Sequence, residues 1–280
     1  MKRIAFSFLI LVFAVSAFSQ SNIDVLHYKF ELSLNDETDT LSGKASVKLL
    51  FRKEGDNCML DLSAVSKGKG MSVFSVTDYT NENKLLPVVH SDDKLKITFP
   101  KKINAGDIIT IIILYKGIPA DGLIISKNKY GKRTFFSDNW PNRAHNWIPC
   151  VDDPADKASV EFIVTAPSHY KVISNGLLIE ESNLPENKKL THWKEDVPLP
   201  VKVMAIGVAD FAVNYPGDVN CIPLSSWVFP EDKKDGFYDY AQTKDILSFF
   251  INYIVPYPYK KLASVQSKTI FGGMENASAI

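Results

Sequence analysis

The sequence predicts a mainly β fold, on three observations. Period-two hydrophobic patterns recur through the first two hundred residues, clusters of Asn, Asp, Gly and Pro separate them, and no helical pattern lies between them. Short strands at such spacing read as an antiparallel β-sandwich or open saddle rather than as βαβ units. After about residue 230 the pattern changes, and a second, α+β unit is predicted to begin.

Residues 1–19 read as a targeting segment. Lys2 and Arg3 supply a positive start, "IAFSFLILVFAVSAF" is an uncharged apolar run, and Ala17 and Ser19 are small residues suited to cleavage before Gln20. The chain is therefore expected to be exported, to the periplasm or the extracellular space. Spanning a bilayer takes about twenty apolar residues, and this run is shorter and ends in polar "SQSN", so no integral membrane segment is expected after cleavage. The 280 residues carry 32 basic and 32 acidic side chains, a net charge of zero, which points away from nucleic acid as a partner. Cys58, Cys150 and Cys221 have no C-x-x-C spacing and read as buried thiols.

The strands follow in order. "LHYKFELSL" puts Leu26, Tyr28, Phe30, Leu32 and Leu34 on one face, and Ala45, Val47, Leu49 and Phe51 repeat the alternation. "LKITF" at 95–99, "IITIIILY" at 108–115, "VEFIV" at 160–164 and "KVMAIGVADFAV" at 202–213 extend the series. In "PEDKKDGFYDYAQTKDILSFFINYIVPYP" one helix is predicted over 234–255. Phe237, Tyr240, Ala241, Leu247, Phe250, Ile251 and Ile254 share a face, and Pro256 and Pro258 stop it. "KLASVQSKTI" reads as one more strand, leading into "FGGMENASAI". One helix and one strand cannot bury both faces of anything, so the second unit is expected to be incomplete. Within that last stretch, a glycine pair followed by a carboxylate and an amide suits a loop that holds a small charged group.

Three stretches together resemble the zinc aminopeptidases of the aminopeptidase N and leukotriene-hydrolase type, a group of gluzincin metallopeptidases. "WIPCVDDPADKASVEFIVTAPSHYKVISNG" is similar to the family's Pro-Cys-Phe-Asp-Glu-Pro block and its Ser-Asn-Gly turn. "THWKEDVPLPVKVMAIGVADF" looks like the last strand of its saddle domain. "YPYKKL" followed by "FGGMEN" resembles the opening of its catalytic domain and its Gly-x-Met-Glu-Asn motif. The resemblance implies a saddle domain over 20–215 and, from 222 to 280, the start of a thermolysin-like catalytic domain that stops before the zinc motif.

The resemblance further implies an aminopeptidase acting on peptides with a free N-terminus. Glu275 would pair with the substrate α-amine, Gly272, Gly273 and Met274 would form an extended edge along the substrate backbone, and Asn276 completes the motif. Asp138 stands where the family has a glutamine or glutamate before the Pro-Cys pair; it keeps the carboxylate but is one methylene shorter. Trp140 and Trp147 read as core or pocket wall, and Asp152-Asp153-Pro154 as a structural turn. Zinc would belong to the full-length parent and to an H-E-x-x-H helix. No two of His27, His90, His145, His169 and His192 stand at i and i+4, so no metal ligand set and no catalytic residue is expected within these 280 residues. Two other readings stay open: a non-catalytic exported β-sandwich that binds peptide or carbohydrate, and a partner-binding or inhibitory truncated homologue.

Overall fold

The computed structural model of the chain describes residues 21–269 and 272–280; the expected targeting segment, residues 1–19, lies outside these residues. Eighteen strands are described. The first eight are β1 (Ile23–Ser33), β2 (Leu41–Phe51), β3 (Gly55–Asp61), β4 (Gly70–Asp78), β5 (Lys84–Leu85), β6 (Val88–Ser91), β7 (Lys94–Ile103) and β8 (Ile108–Ile118). A hairpin of β9 (Leu123–Lys127) and β10 (Arg133–Ser137) precedes β11 (Ala158–Pro167), β12 (Lys171–Ser174), β13 (Leu177–Leu184) and β14 (Lys188–Leu199). Then come β15 (Ile206–Ala209), β16 (Ala212–Val219), β17 (Ile222–Val228), helices α1 (Lys233–Tyr240) and α2 (Thr243–Tyr253), and β18 (Leu262–Val265).

They form four sheets. The largest has the order β13-β14-β11-β1-β2-β8-β4-β5; the others are β12-β15-β10-β9, β16-β17-β18 and β3-β7-β6. Pairing is antiparallel except for β1 with β11 and β17 with β18, which run parallel. The first exception arises because β11 returns to the open edge of β1 from the far side of the β9–β10 hairpin, a long connection rather than a tight turn.

Alternation decides which side chains enter the core. Ala45, Val47, Leu49 and Phe51 are all buried, as are Leu95, Ile97 and Phe99. In β1 the alternation changes phase: a register shift between Val25 and His27 turns Leu26 outward, so the buried set is Ile23, Val25, Tyr28, Phe30 and Leu32. Tyr28, Phe30, Phe162 and Trp147 stack in series at centroid separations of 5.3 to 6.2 Å. The same core receives Cys58 and Leu60 from β3, Phe135 and Phe136 from β10, and Trp227 and Ala263 from β17 and β18, so all four sheets contribute to it. Cys58 and Cys150 are buried free thiols, whereas Cys221 is exposed in the turn between β16 and β17, a correction to its expected burial.

Two expected elements are broken in the structure. The stretch 202–213 is not one strand: Val201–Val203 forms a 3-10 turn after Pro200, and β15 and β16 follow separately. The 234–255 helix is two helices. Ala241 N–H bonds Tyr238 O, which tightens and ends α1, and Thr243 starts α2 with its hydroxyl 3.0 Å from that of Ser264 on β18. Of the expected apolar face only Leu247 is buried, packed with Val219, Leu224 and Leu262, while Phe250 and Ile254 are exposed.

Candidate substrate-amine site

Asp138 follows the last residue of β10, and its place is determined by Asn139. The Asn139 side chain is buried; its amide donates to Val201 O (3.1 Å) and Met204 O (2.8 Å), and its oxygen accepts from the Trp147 indole N–H (2.8 Å). A neutral, fully satisfied amide thus joins the loop after β10 to the 3-10 turn before β15. Asp138 N–H donates to Gly122 O at 2.7 Å. The carboxylate itself is buried and ion-paired, with Oδ1 2.5 Å from the Arg143 guanidinium, and Oδ2 is sealed from solvent without a hydrogen-bond partner.

The segment carrying Glu275 is held from the other side. Ser278, at φ 62°, turns the chain so that Ala279 bridges Ala263 in parallel, and Val265 N–H donates to Ile280 O at 2.7 Å, which adds a short edge to β18. The expected Ser174-Asn175-Gly176 turn clasps this edge. Asn175 donates to Ala277 O (2.6 Å) and Val203 O (3.0 Å), and Gly176 N–H donates to the Ser278 hydroxyl (2.8 Å). Gly176 itself has φ +74°, and a Cβ there would stand 1.8 Å from Lys194 O, so both conformation and space require glycine.

Lys261 completes the clasp, a residue that the sequence reading did not single out. Its ammonium is buried and donates to Ser174 O and Ser278 O, each at 2.8 Å, and it lies 5.2 Å from the Trp193 ring centroid. Burial pushes its pKa down to about 7, against a smaller opposing effect of Glu195.

These two holders bring distant residues to one place. Asp138, Trp140, Lys202, Val203, Thr269, Gly273, Met274 and Glu275 line one cavity of about 440 Å³. Gly272, Gly273, Met274 and Asn276 also line a neighbouring cavity of about 570 Å³, beside Ile206, Gly207 and Tyr240. Of the residues named from sequence, Asp138 and Glu275 share the first cavity, while Asn276 and Gly272 belong to the second. Gly272 and Gly273 were expected to form, with Met274, an extended edge along the substrate backbone. In the structure a Cβ on either would meet nothing within 4 Å. The chain's own packing does not demand glycine there, so the open space lies on the cavity side. Trp147 is core and Trp140 is half exposed on the cavity wall. Asp152 accepts from His145 N–H and approaches its Nδ1 at 2.7 Å, and Asp153 accepts from Ala155 N–H, so both belong to a turn away from the cavity. Lys202 and Val203 had no sequence signal beyond their place in an apparent strand.

Among the described residues no three His, Cys, Asp or Glu side chains converge to hold a metal ion. His27 and His192 are engaged with Glu161, His90 with Leu62 O, His145 with Asp152, and His169 lies 3.7 Å from Asp36. This donor set does not fit zinc, and no step through a metal is derived. No helix among the described residues is long and apolar enough to cross a membrane.

Comparison with known proteins places these features in a family. The profile of the peptidase M1 N-terminal domain matches residues 25–201. Glutamyl aminopeptidase of Rattus norvegicus is 22% identical over 272 residues, covering 91% of this chain and 28% of the rat protein. Leucyl aminopeptidase of Saccharolobus solfataricus is 26% identical over 258 residues, covering 90% of this chain and 31% of its own length. The M1 zinc metallopeptidase of Deinococcus radiodurans superposes with a TM-score of 0.76 at 21% identity, over 93% of this chain and 60% of that one. A variant of the same enzyme, solved with a Tyr-Ser-Ala substrate, superposes with a TM-score of 0.75 at 18% identity, over 92% of this chain and 60% of that one. The chain thus spans under a third of these curated relatives and about 60% of the solved structures. With more than half of its length matched by the family's N-terminal domain, the chain belongs to the peptidase M1 family.

Proposed function

We propose that this chain is the N-terminal part of an exported zinc-dependent aminopeptidase that removes residues from the free N-termini of peptides. In this reading residues 20–215 are the saddle domain, and 222–280 open the catalytic domain. The zinc and its ligands belong to the longer parent. What these residues contribute is the site for the substrate's α-amine. The observation that carries the reading is the shared cavity: two carboxylates far apart in sequence, Asp138 and Glu275, meet beside a glycine pair that nothing in the chain itself requires.

The two carboxylates differ in what they can do. Asp138 is already ion-paired with Arg143, which also pairs with Asp121, and is sealed, so it shapes and rigidifies the wall. Glu275 is exposed and makes no ion pair among the described residues, so it is free to take a substrate ammonium. An ammonium leaving water needs a carboxylate partner, and fixing the amine determines which peptide bond is presented for cleavage. Gly272, Gly273 and Met274 lie along the cavities as a backbone edge without side-chain obstruction at the glycines.

The test is made on the longer parent, with Glu275→Ala assayed against a free-amine aminoacyl substrate and its N-acetylated twin. Losing one half of a desolvated charge pair costs about 2–5 kcal/mol, so kcat/KM on the free amine should fall by roughly thirty- to several-thousandfold. The acetylated substrate, with no charge to hold, should lose far less. Equal losses on both substrates, or none on the free amine, would refute the proposal.

A further inference from the structure

We propose that Asp232 is a positioning residue for the amine site: together with Gln266 it sets the direction in which the chain leaves β18 for the Gly272–Glu275 segment, and the tip of the β9–β10 hairpin holds it in place. The inference rests on the amine-site reading and names a residue outside the cavity that controls it.

It starts from a carboxylate that does not do its local work. Asp232 stands at the N-cap of α1, where an aspartate ordinarily accepts from the first free N–H groups of the helix, yet its side chain makes no capping hydrogen bond. Both oxygens turn elsewhere. Oδ1 takes the Lys129 ammonium at 2.8 Å and the Tyr130 hydroxyl, and Oδ2 accepts from Gln266 Nε2 at 2.6 Å. These contacts, that of Lys129 foremost, hold its pKa down to about 2, so Asp232 is charged throughout the neutral range and the arrangement is not a pH switch.

Gln266 is fixed at every point that could turn. Its backbone N–H donates to Trp227 O at 2.8 Å, which carries the pairing with β17 one residue past β18, and its Oε1 accepts from Phe229 N–H at 2.8 Å. Residues 266–269 then line the cavity of about 570 Å³ with Gly272 and Gly273, and Thr269 also lies on the wall of the Glu275 cavity. The hairpin tip that grips Asp232 is itself rigid: the Asn128 side-chain oxygen accepts from Tyr130 N–H and Lys132 N–H, each at 3.0 Å, and Gly131 turns the chain at φ +78°. Lys132 adds ion pairs to Asp210 (2.9 Å) and Glu231 (2.8 Å). Exposed pairs of this kind add little to stability, so their effect lies in geometry. β18 has its own supports in β17 and in the Val265 N–H bond to Ile280 O, so losing Asp232 leaves the strand in place and releases Gln266.

In the longer parent, Asp232→Ala should raise KM for a free-amine aminoacyl substrate by about two- to thirtyfold. Because the amine is held alike in the ground and transition states, kcat and the pH profile should change little, and the N-acetylated twin should show no such rise. Amide hydrogen exchange across residues 266–276 should quicken in the same variant while Tm is nearly unchanged. Gln266→Glu sets two carboxylates against each other and should raise KM further; adding Asp232→Asn again faces a donor with an acceptor across that gap and should bring KM back. Unchanged exchange in Asp232→Ala, no recovery in the double variant, or a KM rise equal on both substrates while Glu275→Ala separates them overturns the positioning role. If Glu275→Ala itself fails to separate the two substrates, it is the amine reading that falls, and exchange in Asp232→Ala shows independently whether Asp232 orders the segment.

Discussion

Replacing Lys261 with methionine probes the clasp that holds the Glu275 segment, and the structure gives the expected size. In the folded chain burial moves the Lys261 pKa from 10.5 to about 7. The unfolded chain therefore binds more protons between these values, and stability rises with pH across that window, levelling off below about pH 7. The full displacement corresponds to at most about 5 kcal/mol, and the part between pH 7 and 9 to about 2–3 kcal/mol. Lys261→Met cannot titrate, so its stability lacks this slope. The substitution also leaves Ser174 O without its ammonium donor, whereas Ser278 O keeps Ala263 N–H. That loss is worth about 1–2 kcal/mol and does not depend on pH. Near pH 6 the two effects oppose, because the variant no longer buries a charge, and by pH 9 the wild type should lead clearly. Urea unfolding followed by tryptophan fluorescence at pH 6, 7, 8 and 9 measures the difference. A wild-type-minus-variant gap that is the same at pH 6 and pH 9 would refute the reasoning.

Two further predictions follow from the same physical arguments. Asn139→Ala removes three buried hydrogen bonds and strands the Trp147 indole N–H, so it should cost about 3 kcal/mol; a calorimetric Tm lowered by less than about 3 °C, against an expected drop of roughly 8 °C, would count against it. Export with cleavage after Ser19 predicts a secreted protein whose intact mass begins at Gln20, and a retained Met1–Ser19 segment would sink that proposal.

How much could be read beforehand depended on whether the signal was local. Strands with one buried face announced themselves by alternation: Val47, Leu49, Ile97 and Phe162 are buried as the pattern requires. Short or edge strands such as β5 and β12 carry too few residues for a period to show. The Leu26 phase change and the break after Val201 were hidden because a bulge and a 3-10 turn leave composition unchanged. The 234–255 helix was legible as helix but not as two, since its interruption is one tightened turn, Ala241 N–H to Tyr238 O, that leaves the apolar spacing unchanged.

The sequence by itself determined the mainly β class, the motif order that gives the family resemblance, and the candidate residues at 138 and 272–276. The class follows from periodicity, which every local window carries, and the candidate residues follow from what the resemblance of three short stretches to the family implies. Only the tertiary structure decided that Asp138 and Glu275 share a cavity, that Asp138 is ion-paired with Arg143, and that Lys202 stands on the same wall. Only the tertiary structure showed that Lys261 and the Ser174–Gly176 turn hold the loop in place. Such contacts join segments from opposite ends of the chain through buried hydrogen bonds and ion pairs, whose partners are chosen by packing in three dimensions and leave no mark in the neighbouring sequence.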